Sequence, residues 1–152
     1  MMIIREAIND DISRMQIVRN SVKENILSNP ALVTDEHCKD YISNRGKGWV
    51  CEVNGTITGF AIADLVDNNI WALFIHPNYE RKGIGRKLHN EMMNWYFAQQ
   101  KEFVWLSTEP YSRAADFYAK AGWKQTGTTK SGEIKFEMTA AEWKTLQLSS
   151  LA

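Results

Sequence analysis

The sequence predicts a mixed α/β (α+β) protein built on a mostly antiparallel sheet, and three features of the chain lead there. Apolar residues recur at helical steps near the start, change to strand-like runs between residues 49 and 75, and return to helical steps from about residue 83. Asn54-Gly55 stands between two of those runs as a tight hairpin turn. Ile70-Trp71-Ala72-Leu73-Phe74-Ile75 is apolar at every position, as expected of a strand buried on both faces in mid-sheet.

Met2–Glu6 suits a first strand. Asn9, Asp10 and Asp11 are helix-starting residues, and Ile12, Met15, Val18, Val22 and Ile26 then mark an amphipathic helix interrupted at Asn29-Pro30. A second helix runs from near Thr34, whose hydroxyl can cap it, to Arg45-Gly46, where glycine suits a C-terminal cap. Trp49–Val53 and Thr56–Val66 are strands, and Asp67, Asn68 and Asn69 form the next turn. The run Ile70–Ile75 stops at His76-Pro77, because proline cannot continue a ladder. Gly83 to about Gln99 is a helix with Ile84, Leu88, Met92 and Trp95 on one stripe. Phe103–Ser107 is a strand without polar alternation. Ser112–Ala121 is a short helix with Ala114, Phe117 and Ala121 on one face, stopped at Gly122. Trp123–Thr128 and Glu133–Met138 form a closing hairpin around Ser131-Gly132, and Thr139–Leu148 a last helix.

The 152 residues suit one domain spanning positions 1–152, with no repeat or linker to divide them. Hydrophobic residues make up 44% and charged residues 24%, a globular composition that excludes a disordered or fibrous chain. Eighteen Lys plus Arg balance eighteen Asp plus Glu, which argues against nucleic acid or an anionic membrane as partner. No apolar stretch nears the ~20 residues of a membrane span, and Met1–Asp11 lacks a secretion-signal layout. Cys38 and Cys51 are too few for a disulfide framework or a zinc site, so the expected location is the reducing cytoplasm.

Chemistry is concentrated in Phe74–Leu88. A buried strand ends, the chain turns, and Gly83 and Gly85 open an amphipathic helix. A helix start exposes unpaired N–H groups and the positive end of the dipole, which suits an anion, and glycine lets a phosphate approach the backbone. Arg81, Lys82, Arg86 and Lys87 oppose a single carboxylate, Glu80, in a chain that is otherwise balanced. Neither a Walker loop nor a dinucleotide fingerprint fits, because Arg86, Lys87 and Leu88 follow Gly85.

This stretch resembles the Gcn5-related N-acetyltransferase (GNAT) superfamily, in which a strand ending near a proline leads into Gln/Arg-x-x-Gly-x-Gly/Ala at a helix start. Ile75 to Gly85 matches, with Glu80 in place of Gln or Arg. Ala114-Ala115-Asp116-Phe117-Tyr118-Ala119-Lys120-Ala121-Gly122-Trp123 is similar to the superfamily's Ala-x-x-Phe-Tyr-x-Lys-x-Gly-Phe segment, and the element order fits across nearly the whole chain. Tyr111 stands where many members have Asn, and the resemblance leaves Arg113 to supply that cofactor contact instead.

The resemblance implies a sheet splayed between its fourth and fifth strands, and transfer of an acetyl group from acetyl-coenzyme A to a primary amine of a small molecule or peptide. Arg81, Lys82, Gly83, Ile84, Gly85 and Arg86 would then hold the diphosphate. Main-chain groups of Phe74 and Ile75 would line the thioester, one N–H polarising its carbonyl. Tyr118 would protonate the departing thiolate, a task a phenol can perform at neutral pH. The base that deprotonates the amine stays open among Glu109, Asp64, His76 and water. Trp71 and Trp105 either wall an acceptor pocket or belong to the core. Such families are often homodimeric. The alternative reading is a non-catalytic acyl-coenzyme A sensor that keeps the cleft.

Overall fold

In the computed structural model of the chain, which describes residues 1–22 and 33–151, Asn54 and Gly55 both take positive φ (51° and 84°). That pair of conformations matches the twist of two antiparallel strands. The turn joins β2 (Gly46–Val53) to β3 (Thr56–Asp64), and a second turn leads into β4 (Asn69–Ile75). With β1 (Met2–Glu6), β5 (Phe103–Thr108), β6 (Lys124–Thr128) and β7 (Ile134–Thr139), they form one sheet in the order β1-β2-β3-β4-β5-β7-β6. Every neighbouring pair is antiparallel except β4–β5, which is parallel and has a single register pair, Asn69 with Trp105.

Helices cover both faces. On one, Ile12, Met15 and Val18 of α1 (Ile12–Ser21) pack with Val50, Phe60 and Ile62, beside Cys38 of α2 (Asp35–Asp40). On the other, Leu88, Met92 and Met93 of α3 (Ile84–Phe97) pack with Val104, Leu106 and Met138. Tyr118 of α4 (Arg113–Lys120) and Trp143 of α5 (Ala140–Leu151) complete that second core. Successive residues of β2 and β3 divide between the two clusters, as the two-residue period of a strand requires. No helix among the described residues is long and apolar enough to cross a membrane.

Several expectations are corrected. Helix α1 ends at Ser21, with Val22 already extended (φ −73°, ψ 153°); Ile26 and Asn29-Pro30 lie outside the described residues. Thr34 does cap α2, its hydroxyl accepting from the His37 N–H at 3.1 Å. The helical segment continues as a π-helical turn over Tyr41–Arg45, and Gly46 does stand at its C-cap, but in extended conformation (φ −171°) and not left-handed, because it also begins β2. A Cβ there would fall 1.8 Å from the Ala63 carbonyl oxygen, so close strand approach is what requires glycine. β4 is central but not sealed, because Leu73, Phe74 and Ile75 are only partly buried, on account of the cleft described below. β5 does alternate: Val104, Leu106 and Thr108 are buried while Phe103 is 41% exposed. In α4 the buried residues are Ala115 and Tyr118, whereas Ala114 and Phe117 face a cleft.

Gly46→Ala must displace the Ala63 backbone. We expect it to lower unfolding free energy by about 1–3 kcal/mol in urea titrations.

Candidate active site

The β3–β4 turn fastens one end of the parallel pair. Asp64, fully buried, accepts from the Val66 N–H (2.9 Å), the Asp67 N–H (3.3 Å) and the Arg45 guanidinium (2.9 Å). On β5, Trp105 donates its main-chain N–H to the Asn68 carbonyl and its indole N–H to the Asp67 carbonyl, both at 3.0 Å. The Lys101 ammonium adds a bond to the Leu65 carbonyl at 2.8 Å. Beyond Asn69 the two strands part.

At the other end of β4 the main-chain directions can be read from its partner. The His76 N–H donates to the Thr58 carbonyl at 2.8 Å, and Phe74 stands opposite Phe60 on β3. Strand alternation therefore turns the N–H groups of Leu73 and Ile75 to the opposite edge, toward β5. That edge has no ladder beside it among the described residues. Phe74 turns its main chain to β3 instead, and its ring packs with Phe60 on the α1 side.

The gap opens into a cleft of about 800 Å³. Of the sequence-predicted residues, Phe74, Ile75, Arg81, Gly83, Ile84, Gly85, Arg86 and Tyr118 line it, and Lys82 does not. Leu73, Val22 and Tyr79 also line it. Leu73 was legible as Ile75's neighbour on the same strand edge; Val22 and Tyr79 carried no signal. Gly83 has φ 82° and precedes α3, and Arg81 also takes a positive φ of 64°. The conformation at Gly83 favours glycine and leaves the first N–H groups of α3 bare. A Cβ on Gly85 would reach toward Ile75 and Phe117 across the cleft, at 3.7 and 3.8 Å. These features fit a coenzyme's diphosphate and thioester arm.

Glu80 pairs with Arg113, so the carboxylate that departs from the superfamily pattern is tied to the first turn of α4 across the cleft mouth. Tyr111 is fully exposed (101%) and outside the cleft lining. Tyr118 is buried against Phe117, Trp123 and Phe136, and burial pushes its phenol above the usual range, keeping it protonated. Beneath lies His89, 2% exposed, whose Nε2 accepts from the Trp123 indole N–H at 3.0 Å. Burial lowers its pKa from 6.5 to about 4.

The three candidate bases are differently placed, and none lines the cleft. Asp64 lies at the fastened end, occupied as described. The His76 Nδ1 accepts from the Asn78 N–H at 3.1 Å, and Glu109 is exposed on the loop after β5. Trp71 stacks on Tyr41 with centroids 3.9 Å apart, and Trp105 is engaged with the β3–β4 turn; neither lines the cleft.

A sheet parted between its central parallel strands, with a glycine-opened helix at the mouth, defines the coenzyme A-dependent acyltransferase class. The chain belongs to the acetyltransferase (GNAT) family, whose model matches residues 14–123. Its co-substrate is acetyl-coenzyme A. No curated protein matches its sequence. Among solved structures it is similar to the PaiA N-acetyltransferase of Thermoplasma acidophilum in complex with coenzyme A (18% identity, TM-score 0.79, covering 91% of this chain and 99% of that one). It is also similar to the ribosomal-protein-S18-alanine N-acetyltransferase of Escherichia coli (17%, TM-score 0.74, 92% and 94%). A GNAT-family acetyltransferase of Staphylococcus aureus Mu50 (16%, TM-score 0.80, 92% and 99%) shares the fold as well.

Two outcomes are expected. Glu80→Gln removes a negative charge facing the cleft and should tighten coenzyme A by about fivefold in calorimetry, the gain shrinking as salt is added. The unfolded chain protonates His89 near pH 6.5 and the folded chain only near 4, so this group costs stability as pH falls between those values. His89→Gln should reduce the acid-side loss of unfolding free energy by up to about 3 kcal/mol relative to the parent.

Proposed function

We propose that the chain, acting as one domain over residues 1–152, is an N-acetyltransferase. It moves the acetyl group of acetyl-coenzyme A to a primary amine of a small molecule or peptide by direct attack on the thioester. The supporting observation is that the unladdered N–H of Ile75 and the protonated Tyr118 lie along one cleft whose mouth is a cationic, glycine-opened helix start.

Arg81, Gly83, Ile84, Gly85 and Arg86 hold the diphosphate with main-chain N–H groups and charge, and Lys82 adds to the field from outside the lining. The Ile75 N–H, with that of Leu73 beside it, polarises the thioester carbonyl, and such a preorganised donor is worth a few kcal/mol. The amine nitrogen bonds to the acetyl carbon and loses a proton to water. As the carbon–sulfur bond breaks, the Tyr118 hydroxyl gives its proton to the sulfur, and the proton released by the amine returns through water to the phenolate, leaving the acetylated amine, free coenzyme A thiol and a neutral tyrosine. Burial keeps the phenol protonated until the thiolate forms beside it and favours its reprotonation afterwards.

Tyr118→Phe should lower kcat for thiol release by about 100-fold while leaving coenzyme A affinity within about twofold. An unchanged rate removes the assignment of Tyr118. A folded protein that binds acetyl-coenzyme A and acetylates no member of a broad amine panel is the acyl-coenzyme A sensor instead.

A further inference from the structure

Where β4 runs out toward the cleft, its neighbour β3 carries a residue without a side chain, and the space this leaves is filled from across the strand pair. That residue, Gly59, is buried and stands opposite Ile75. A Cβ there would fall 2.7 Å from the Ile75 Cδ1, 3.0 Å from the Phe74 carbonyl oxygen and 3.2 Å from the Leu88 Cδ1. The first distance is too short for two carbon atoms, so an added methyl must displace the Ile75 side chain. Ala61 and Ala63, on the same face of β3, keep their methyl groups in the core beneath α3. At position 59 the nearest obstacle to such a methyl is Ile75, and Leu88 of α3 comes after it.

Two further observations tie this seat to the reacting centre. The Ile75 side chain extends from Gly59 to the first turn of α3, where a Cβ on Gly85 would lie 3.7 Å from the Ile75 Cγ1 and 4.0 Å from its Cδ1. It is thus held between β3 and the helix start at the cleft mouth, and it belongs to the residue whose N–H faces the gap. The main chain is pinned beside it. Thr58 is an extra residue in β3, since the pairing with β2 passes from Cys51–Gly59 to Glu52–Ile57. Its hydroxyl donates to the Cys51 carbonyl at 3.3 Å, and its carbonyl accepts from the His76 N–H at 2.8 Å. Toward β5 Ile75 has no ladder partner among the described residues, so its support comes from the β3 side.

We propose that Gly59 is a positioning residue for acetyl transfer: by lacking a side chain it seats Ile75, and the seated Ile75 holds its N–H in line with the thioester carbonyl. This rests on the N-acetyltransferase reading above, in which that N–H is the donor. A donor displaced by a fraction of an ångström leaves the coenzyme bound but loses its aim at the developing oxyanion, and aim is what a preorganised donor contributes. Gly59 therefore acts on kcat and leaves the grip on the diphosphate in place.

The test moves one methyl group across the strand pair. Gly59→Ala adds it, Ile75→Val removes the Cδ1 that occupies the same space, and the double variant does both, which nearly conserves volume. Thiol release with an amine the parent acetylates, calorimetric coenzyme A binding and crystal structures are compared among the parent and the variants. Gly59→Ala should lower kcat by about 30-fold with coenzyme A affinity within about threefold, and the double variant should recover about tenfold of that loss. A folded Gly59→Ala with parental kcat overturns the proposal. Its structure then shows which part failed: the seat if Ile75 has not moved, the donor role of the Ile75 N–H if it has. A loss of coenzyme A affinity as large as the loss of kcat overturns it too. Where Gly59→Ala does not fold, the double variant is set against Ile75→Val: kcat values within about threefold support the seat, and a larger loss in the double variant overturns it. Acetyl-coenzyme A binding with no thiol release from any amine would sink the N-acetyltransferase reading instead, and the crystal structures would still decide whether Gly59 seats Ile75.

Discussion

The separation of β4 from β5 is the constraint from which the rest of the site follows. At one end the pair is held by Asn69 and Trp105 and by bonds from Trp105 and Lys101 to the carbonyls of the 65–68 turn. Beyond that point the strands have no ladder, and β4 keeps its form through its other neighbour, β3. A parallel neighbour reached through a helical crossover need not follow its partner for its full length, unlike one tethered by a hairpin. The sheet thus gains a row of main-chain donors that face a cleft instead of a strand. Because the main chain supplies them, they depend on the fold and not on the identity of the side chains around them.

Charge is distributed along the cleft by the same geometry. Cations gather at the mouth, where Arg81, Arg86 and Arg113 surround the start of α3. The floor is aromatic and neutral: Tyr118 stays protonated, and His89 accepts from Trp123 instead of carrying charge. A fixed dipole acts more strongly in such surroundings than in water. Glu80 fits this division because Arg113 neutralises it across the mouth.

The succession of elements along the chain, the hairpin at Asn54-Gly55 and the helix opened by Gly83 were legible because each depends on residues a few positions apart. Readings failed where distant residues decide. The apolar run of β4 looked sealed, yet half of it borders open space that β5 creates by turning away. Gly46 was legible as a cap, yet its smallness answers to Ala63 on the next strand. In α4 the stripe of Ala114 and Phe117 was visible, but its use as a cleft wall was not. The bulge at Thr58 left no mark in the sequence, since it exists only in the register of β3 against β2.

Local patterns, in short, belong to the sequence: which residues turn, which begin a helix, and where the cationic glycine turn and the Phe117-Tyr118 motif reside. Tertiary structure alone decided that Ile75 rather than Phe74 turns its N–H to the gap, that Asp64 serves the fastened end, and that Gly59 leaves room for the Ile75 side chain. The reason is that the direction of a main-chain dipole and the partner of a charge are set by register and by packing between elements far apart in the chain, to which short-range residue patterns are blind.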